Sequence, residues 1–151
     1  MSVLHVIRLR GPWEYVVRAR FVPRGNAVEP AFDESRDELP PPGRVTMPAD
    51  WAATLGHDFR GRVEYRRRFG CPTGITAAER VWLVCDGAES TAKFLLNGEM
   101  LRSTDGNGSP AEIDVTERLR ERNELLAVVE CSGTQPGGLT GEVRLEIRPA
   151  V

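Results

Sequence analysis

RVWLVCDGAESTAKFLLNGEML, residues 80–101, holds two strands and the turn that leaves the second of them. RVWLVCD is apolar at almost every position, the pattern of a central strand covered on both faces. TAKFLL runs directly into Asn97-Gly98. That pair tolerates the positive φ angles of a two-residue type I′ turn, so the stretch predicts a hairpin. Working outward, a period of two recurs on both sides. In EYVVRARF (14–21), Tyr15, Val17, Ala19 and Phe21 share one face and Arg18 and Arg20 the other. RVEYRRRF (62–69) places Val63, Tyr65 and Phe69 inward and Arg62, Glu64, Arg66 and Arg68 outward. ELLAVVEC (124–131) and EVRLEIRP (142–149) complete the set, the latter alternating Val143, Leu145 and Ile147 with Arg144, Glu146 and Arg148. Short strands between turn-rich loops, with no sustained helical repeat, predict an all-β chain folded as a sandwich of two antiparallel sheets. Helix is confined to single turns. Asp114 or Thr116 can cap one that contains Leu119 before Asn123 ends it, and a second candidate lies around Thr76 to Glu79.

A chain of 151 residues fits one domain, 1–151, with a single core. EPAFDESRDELPPPG (29–43) is acidic, proline-rich and poor in large apolar residues, and reads as an exposed loop. Apolar residues at 40% and charged residues at 28% give the profile of a globular protein. A net charge of −2 provides no electrostatic drive toward phosphate backbones or anionic lipid, which argues against nucleic acid and membrane as partners. The opening MSVLHVIRLRGPW lacks an uninterrupted apolar h-region, and Arg8 and Arg10 stand where a signal peptide would carry its cleavage site. No run approaches the ~18 apolar residues that span a bilayer. The expected compartment is the cytoplasm. The three cysteines, Cys71, Cys85 and Cys131, fit that expectation: they are odd in number and show no CxxC or CxxH spacing.

Residues suited to catalysis are sparse. There are two histidines, His5 in a strand-like stretch and His57 in a loop beside Asp58, and no serine in a nucleophile-elbow motif accompanies them. Glu64, Glu99, Asp105, Glu112 and Asp114 are carboxylates, each with a structural explanation as a strand face, a turn or a cap. TDGNGSP resembles half a calcium loop in composition but lacks the D-x-[DN]-x-[DN]-G order and the closing Glu. An exposed aromatic would suit sugar stacking. Trp13, Trp51 and Trp82 are the tryptophans available, and the expectation for all three is core burial.

Several longer segments, in this order, carry a resemblance: GRVTMPADW (43–51), GHDFRGRVEYRRRF (56–69), RVWLVCDGAESTAKFLLNGEML (80–101), SPAEIDVTERLRERNELLAVVE (109–130) and GGLTGEVRLEI (137–147). Together they resemble the amino-terminal sugar-binding domain of family 2 glycoside hydrolases, which include β-galactosidases, β-glucuronidases and β-mannosidases. The resemblance runs from about Gly11 to Ile147 and implies a galactose-binding-like jelly roll. In that family two glutamates on a separate (β/α)8 barrel perform hydrolysis, and such a barrel alone needs ~200 residues or more. The expectation is therefore a chain that is not an enzyme by itself and has no catalytic residue. In β-galactosidases the loop after the hairpin adds an aspartate to the sugar pocket. The resemblance points to Asp105, with Asn107 beside it, as ligand-binding residues, while a loop rich in Gly and Ser also reads as a flexible connection. Galactose-binding-like sandwiches often hold a structural calcium, so a calcium is the one cofactor the resemblance leaves open. The expected function is that of a non-catalytic carbohydrate-binding module. A protein-interaction or assembly domain and the non-catalytic piece of a split glycosidase are the alternatives.

Overall fold

The computed structural model describes residues 3–24, 32–87, 90–104, 110–133 and 137–150. In chain order the strands are β1 (His5–Arg8), β2 (Trp13–Pro23), β3 (Phe32–Ser35), β4 (Gly43–Val45), β5 (Ala49–Asp50), β6 (Gly61–Gly70) and β7 (Glu79–Cys85). They continue as β8 (Thr91–Leu96), β9 (Glu99–Thr104), β10 (Ala111–Asp114), β11 (Arg122–Cys131), β12 (Gly138–Leu139) and β13 (Val143–Pro149). One helical turn, α1 (Trp51–Thr54), follows β5, and a 3-10 turn spans Thr116–Arg118.

Among the described residues the larger sheet has the order β3-β2-β6-β11-β8-β9, with β4 pairing to β2, and the smaller has the order β1-β13-β7-β10. All the pairings are antiparallel. The two sheets face each other across one core. Trp13 and Val17 of β2, Val63 and Tyr65 of β6, Phe94 of β8 and Leu125, Ala127 and Val129 of β11 come from one side. Val81, Leu83 and Cys85 of β7 and Val143, Leu145 and Ile147 of β13 come from the other. The alternation in the sequence is thus the alternation of faces. The chain is an antiparallel β-sandwich.

The turns form where their residues allow. Asn97 and Gly98 sit at φ 53° and 84°, the left-handed geometry that a tight hairpin needs. Asp114 Oδ1 accepts hydrogen bonds from the Thr116 backbone N–H (3.0 Å) and hydroxyl (2.7 Å), tying β10 to the 3-10 turn. Gly141 admits no side chain, because a Cβ there would lie 1.3 Å from the Asp86 carbonyl oxygen.

Three expectations change. Phe32–Ser35, inside the presumed acidic loop, is strand β3, paired to β2 and held by Arg62, whose Nη2 lies 2.5 Å from Glu34 Oε1. The stretch Thr76 to Glu79 is a turn rather than a helix. There Glu79 accepts from the Thr76 N–H and Thr76 from the Ala78 N–H, and the chain then enters β7. Trp82 is not in the core: it stands half-buried on the outer face of the smaller sheet, under the Arg148 guanidinium 4.7 Å from its ring centre. The covering of β7 on both faces does hold, since Val84, which alternates with the core residues, is 2% exposed.

Cys85 offers a test of core integrity. It is 3% exposed, and burial, aided by Asp86 and opposed by Arg144, pushes its thiol up to about 11. The folded state therefore keeps its proton where the unfolded chain has lost it. This contribution is complete below about pH 9 and is lost as pH rises toward 11, an expected decline of about 2 kcal/mol. Urea unfolding at pH 8, 9.5 and 11 should show that extra decline in the parent chain and not in Cys85→Ala.

Candidate functional site

Asp105 and Asn107, the ligand-binding residues expected from the sequence, lie outside the described residues. Thr104, the last described residue before them, ends β9, and its hydroxyl accepts from the Ala92 N–H at 3.1 Å. The concavity beside it, between Lys93, Ser103, Val128 and Glu130, measures about 50 Å3, room for little more than a water.

Of the carboxylates weighed for catalysis, those among the described residues are engaged structurally or exposed. Glu64 lies 3.0 Å from Arg18, Asp114 lies 2.9 Å from Arg80, and Glu112 pairs with Arg148. Burial tends to raise the Asp114 pKa, but hydrogen bonds from Arg80 and Thr116 outweigh it and hold the carboxyl below its usual range. That is the reverse of what a general acid needs. Glu99 is exposed at the start of β9. His57 and Asp58 are exposed after α1, and His5 is exposed on the edge strand β1. Among the described residues no cluster of three or more His, Cys, Asp or Glu is placed to hold a metal, and no helix is long and apolar enough to cross a membrane.

Aromatic surfaces are similarly occupied. Trp13 and Trp51 are 0% exposed, and each indole N–H is satisfied, by the Leu9 carbonyl and the Tyr65 hydroxyl respectively. The exposed ring of Phe32 stacks on Phe21, with centroids 4.3 Å apart.

An open cleft of about 660 Å3 lies at the other end of the β8–β9 hairpin, lined by Arg68, Phe69, Gly70, Asn97, Arg122, Asn123 and Glu124. Antiparallel register builds it: Arg122 lies opposite Gly70 and Glu124 opposite Arg68. Two amides bind its parts together. Asn97 donates to Asn123 Oδ1 (3.0 Å) and accepts from the Glu124 N–H (2.9 Å). Asn123, 3% exposed, accepts from the Arg120 N–H and donates to the Arg120 carbonyl, both at 2.8 Å. The sequence suggested both asparagines as turn residues but not the cleft between them. Its only trace was the run of arginines before Phe69, whose partners lie more than fifty residues away.

Comparisons with known proteins agree with this architecture. Residues 58–136 match the model of the family described as glycosyl hydrolase 2 galactose-binding domain-like. Among solved structures, the FMN-binding β-glucuronidase of Faecalibacterium prausnitzii L2-6 is 23% identical with a TM-score of 0.74, over 98% of this chain and 23% of that one. The β-glucuronidase of Bifidobacterium dentium is 20% identical with a TM-score of 0.72, over 99% of this chain and 31% of that one. β-Glucuronidase 3 of Bacteroides uniformis is 18% identical with a TM-score of 0.72, over 98% and 23%. At these identities the likeness speaks for the fold. The chain spans less than a third of each of these structures. No curated protein matches in sequence.

Proposed function

Because the chain belongs to the glycosyl hydrolase 2 galactose-binding domain-like family, we propose that it is a non-catalytic carbohydrate-binding module. The observation that carries this reading is coverage: nearly the whole chain superposes on one part of much larger β-glucuronidases, 98% of this chain against 23% of the other. Only the galactose-binding-like domain is matched by the family model, and a (β/α)8 barrel of typically ~250 residues exceeds the 151 present. The pairing of Glu64, Glu112 and Asp114 with arginines also supports a binding role over hydrolysis. The same coverage favours a second reading, in which this sandwich is the non-catalytic part of a glycosidase whose catalytic module stands elsewhere.

Calorimetry with galactose, glucuronate, mannose and short β-linked oligosaccharides tests the first reading. A saturable heat is expected. Its loss in Asp105→Ala or Asn107→Ala would locate the contact in the segment that follows Thr104. Silence toward every sugar at millimolar concentration would sink the carbohydrate reading and favour a protein partner.

A further inference from the structure

We propose that the cleft at the Asn97 end of the larger sheet binds a carboxylate-bearing sugar residue, the uronate unit of an acidic glycan. That the ligand is a sugar rests on the reading above; that it is an anion rests on the cleft itself. The volume of about 660 Å3 lies within the usual range for small-ligand sites, ~300–1,000 Å3, and suits one or two pyranose rings.

The floor is rigid and chemically spent. Asn97 and Asn123 use their amides on each other and on the backbone of residues 118, 120 and 124, so they keep shape rather than read hydroxyls. The polar groups left to a ligand are guanidinium ions. Arg122 is exposed and makes no ion pair among the described residues. Arg68, with a side chain 70% exposed, is held only loosely by Glu124, its Nε 3.5 Å from Oε2. Glu124 is the one carboxylate of the lining and is shared with Arg66, also at 3.5 Å. Two cations thus face one divided anion, and a guanidinium fork matches a carboxylate in a bidentate way. Arg68 and Arg122 lie diagonally across the β6–β11 ladder on one face, so they can approach one anionic group from two sides. Phe69, on the opposite face of β6, packs toward the core and backs the cleft from behind. Gly70 keeps the entrance open: a Cβ there would meet only the Glu121 carbonyl, at 3.9 Å.

That open position supplies a clean test. Gly70→Tyr fills the cleft without displacing a core atom, and Arg122→Ala removes a cation that supports no other described contact. Digalacturonate, its neutral methyl ester and a 6-sulfated galactose disaccharide are titrated into the 151-residue chain at low and at physiological salt. The expected result is saturable digalacturonate binding that weakens with salt and is at least ten-fold tighter than that of the ester. Arg122→Ala should weaken it about ten-fold and Gly70→Tyr should abolish it, with melting temperatures close to the parent's. Equal binding of acid and ester would overturn the anionic assignment and leave the carbohydrate reading standing. Sulfated sugar bound in preference to uronate would overturn the carboxylate. Digalacturonate binding that survives both variants would place the site elsewhere. If no sugar of any kind binds, the carbohydrate reading falls together with this one.

Discussion

Trp51→Ala is expected to lower the unfolding free energy by about 4–5 kcal/mol, the largest single-residue effect anticipated in this chain. Trp51 is 0% exposed and begins the turn α1, which Asp50 caps by accepting from the Ala52 N–H. Its backbone N–H bonds to the Gly137 carbonyl at 3.0 Å, its indole meets Phe59 edge-on at 5.1 Å, and its indole N–H reaches the Tyr65 hydroxyl at 2.8 Å. Truncating a buried aromatic to alanine costs roughly 3–5 kcal/mol in lost transfer energy and cavity. The Tyr65 hydroxyl, 1% exposed as a residue, would also lose its donor, and an orphaned buried polar group costs about 1–3 kcal/mol. Against a typical stability of 5–15 kcal/mol, the variant should melt about 10–20 °C lower, since each kcal/mol moves Tm by roughly 2–4 °C at this size. Trp51→Phe should keep most of the packing and lose mainly the hydrogen bond, about 1–2 kcal/mol. Tyr65→Phe should cost about the same, with the double variant less than additive. A loss below about 2 kcal/mol for Trp51→Ala would show that the loop from β5 to β6 is not an integral part of the core.

Why Trp51 was legible as core, while its helix was not, comes down to length. A four-residue turn shows no period of 3.6, so only the capped geometry of Asp50 reveals it, whereas the strand alternation around Tyr65 extends over ten residues. β3 was hidden for a different reason. FDES carries the acidic composition of a loop, and its strand character is a tertiary effect, secured by Arg62 on Glu34 and by Arg24 2.7 Å from Asp33. Trp82 exposes the limit of periodicity, which says that two faces exist but not that the outer one is roofed by arginine. The cleft was the least legible part. Arg68, Asn97 and Arg122 are neighbours only through the β6–β11 and β8–β11 pairings, and one sequence does not state which strands pair.

The outer face of β13 holds the second large effect. Its alternation reads as charges toward solvent, yet Glu146 and Arg148 are 6% and 7% exposed. Glu146 sits between two arginines, with Oε2 2.7 Å from Arg144 Nε and Oε1 2.7 Å from Arg148 Nη2. Arg148 in turn covers Trp82 and pairs with Glu112, and Arg144 reaches Asp86 at 2.6 Å. Glu146→Gln keeps the shape and removes the charge, leaving two guanidinium groups facing each other. Breaking a buried pair in this way costs roughly 3–5 kcal/mol; the partial exposure of Arg144 and its second partner Asp86 place the expectation at about 3 kcal/mol at neutral pH. Burial tends to raise the Glu146 pKa, but the hydrogen bonds from Arg148 and Arg144 prevail and it lies below its ordinary value. A carboxyl whose folded pKa is depressed stabilises above its unfolded pKa and loses that contribution as pH falls through the folded one. The gap between parent and Glu146→Gln should therefore be full at pH 7 and close progressively below about pH 4. Glu146→Leu combined with Arg148→Leu should cost less than Glu146→Gln alone. The double variant leaves no buried charge unpaired, Arg144 keeps Asp86 and Glu142, and Glu112, with a side chain 49% exposed, returns to water. Urea unfolding of both variants across pH 3 to 8 decides the matter. If the double variant is the less stable of the two, the ladder of charges contributes stability beyond charge compensation, and the outer face would have to be counted as part of what holds the sandwich together.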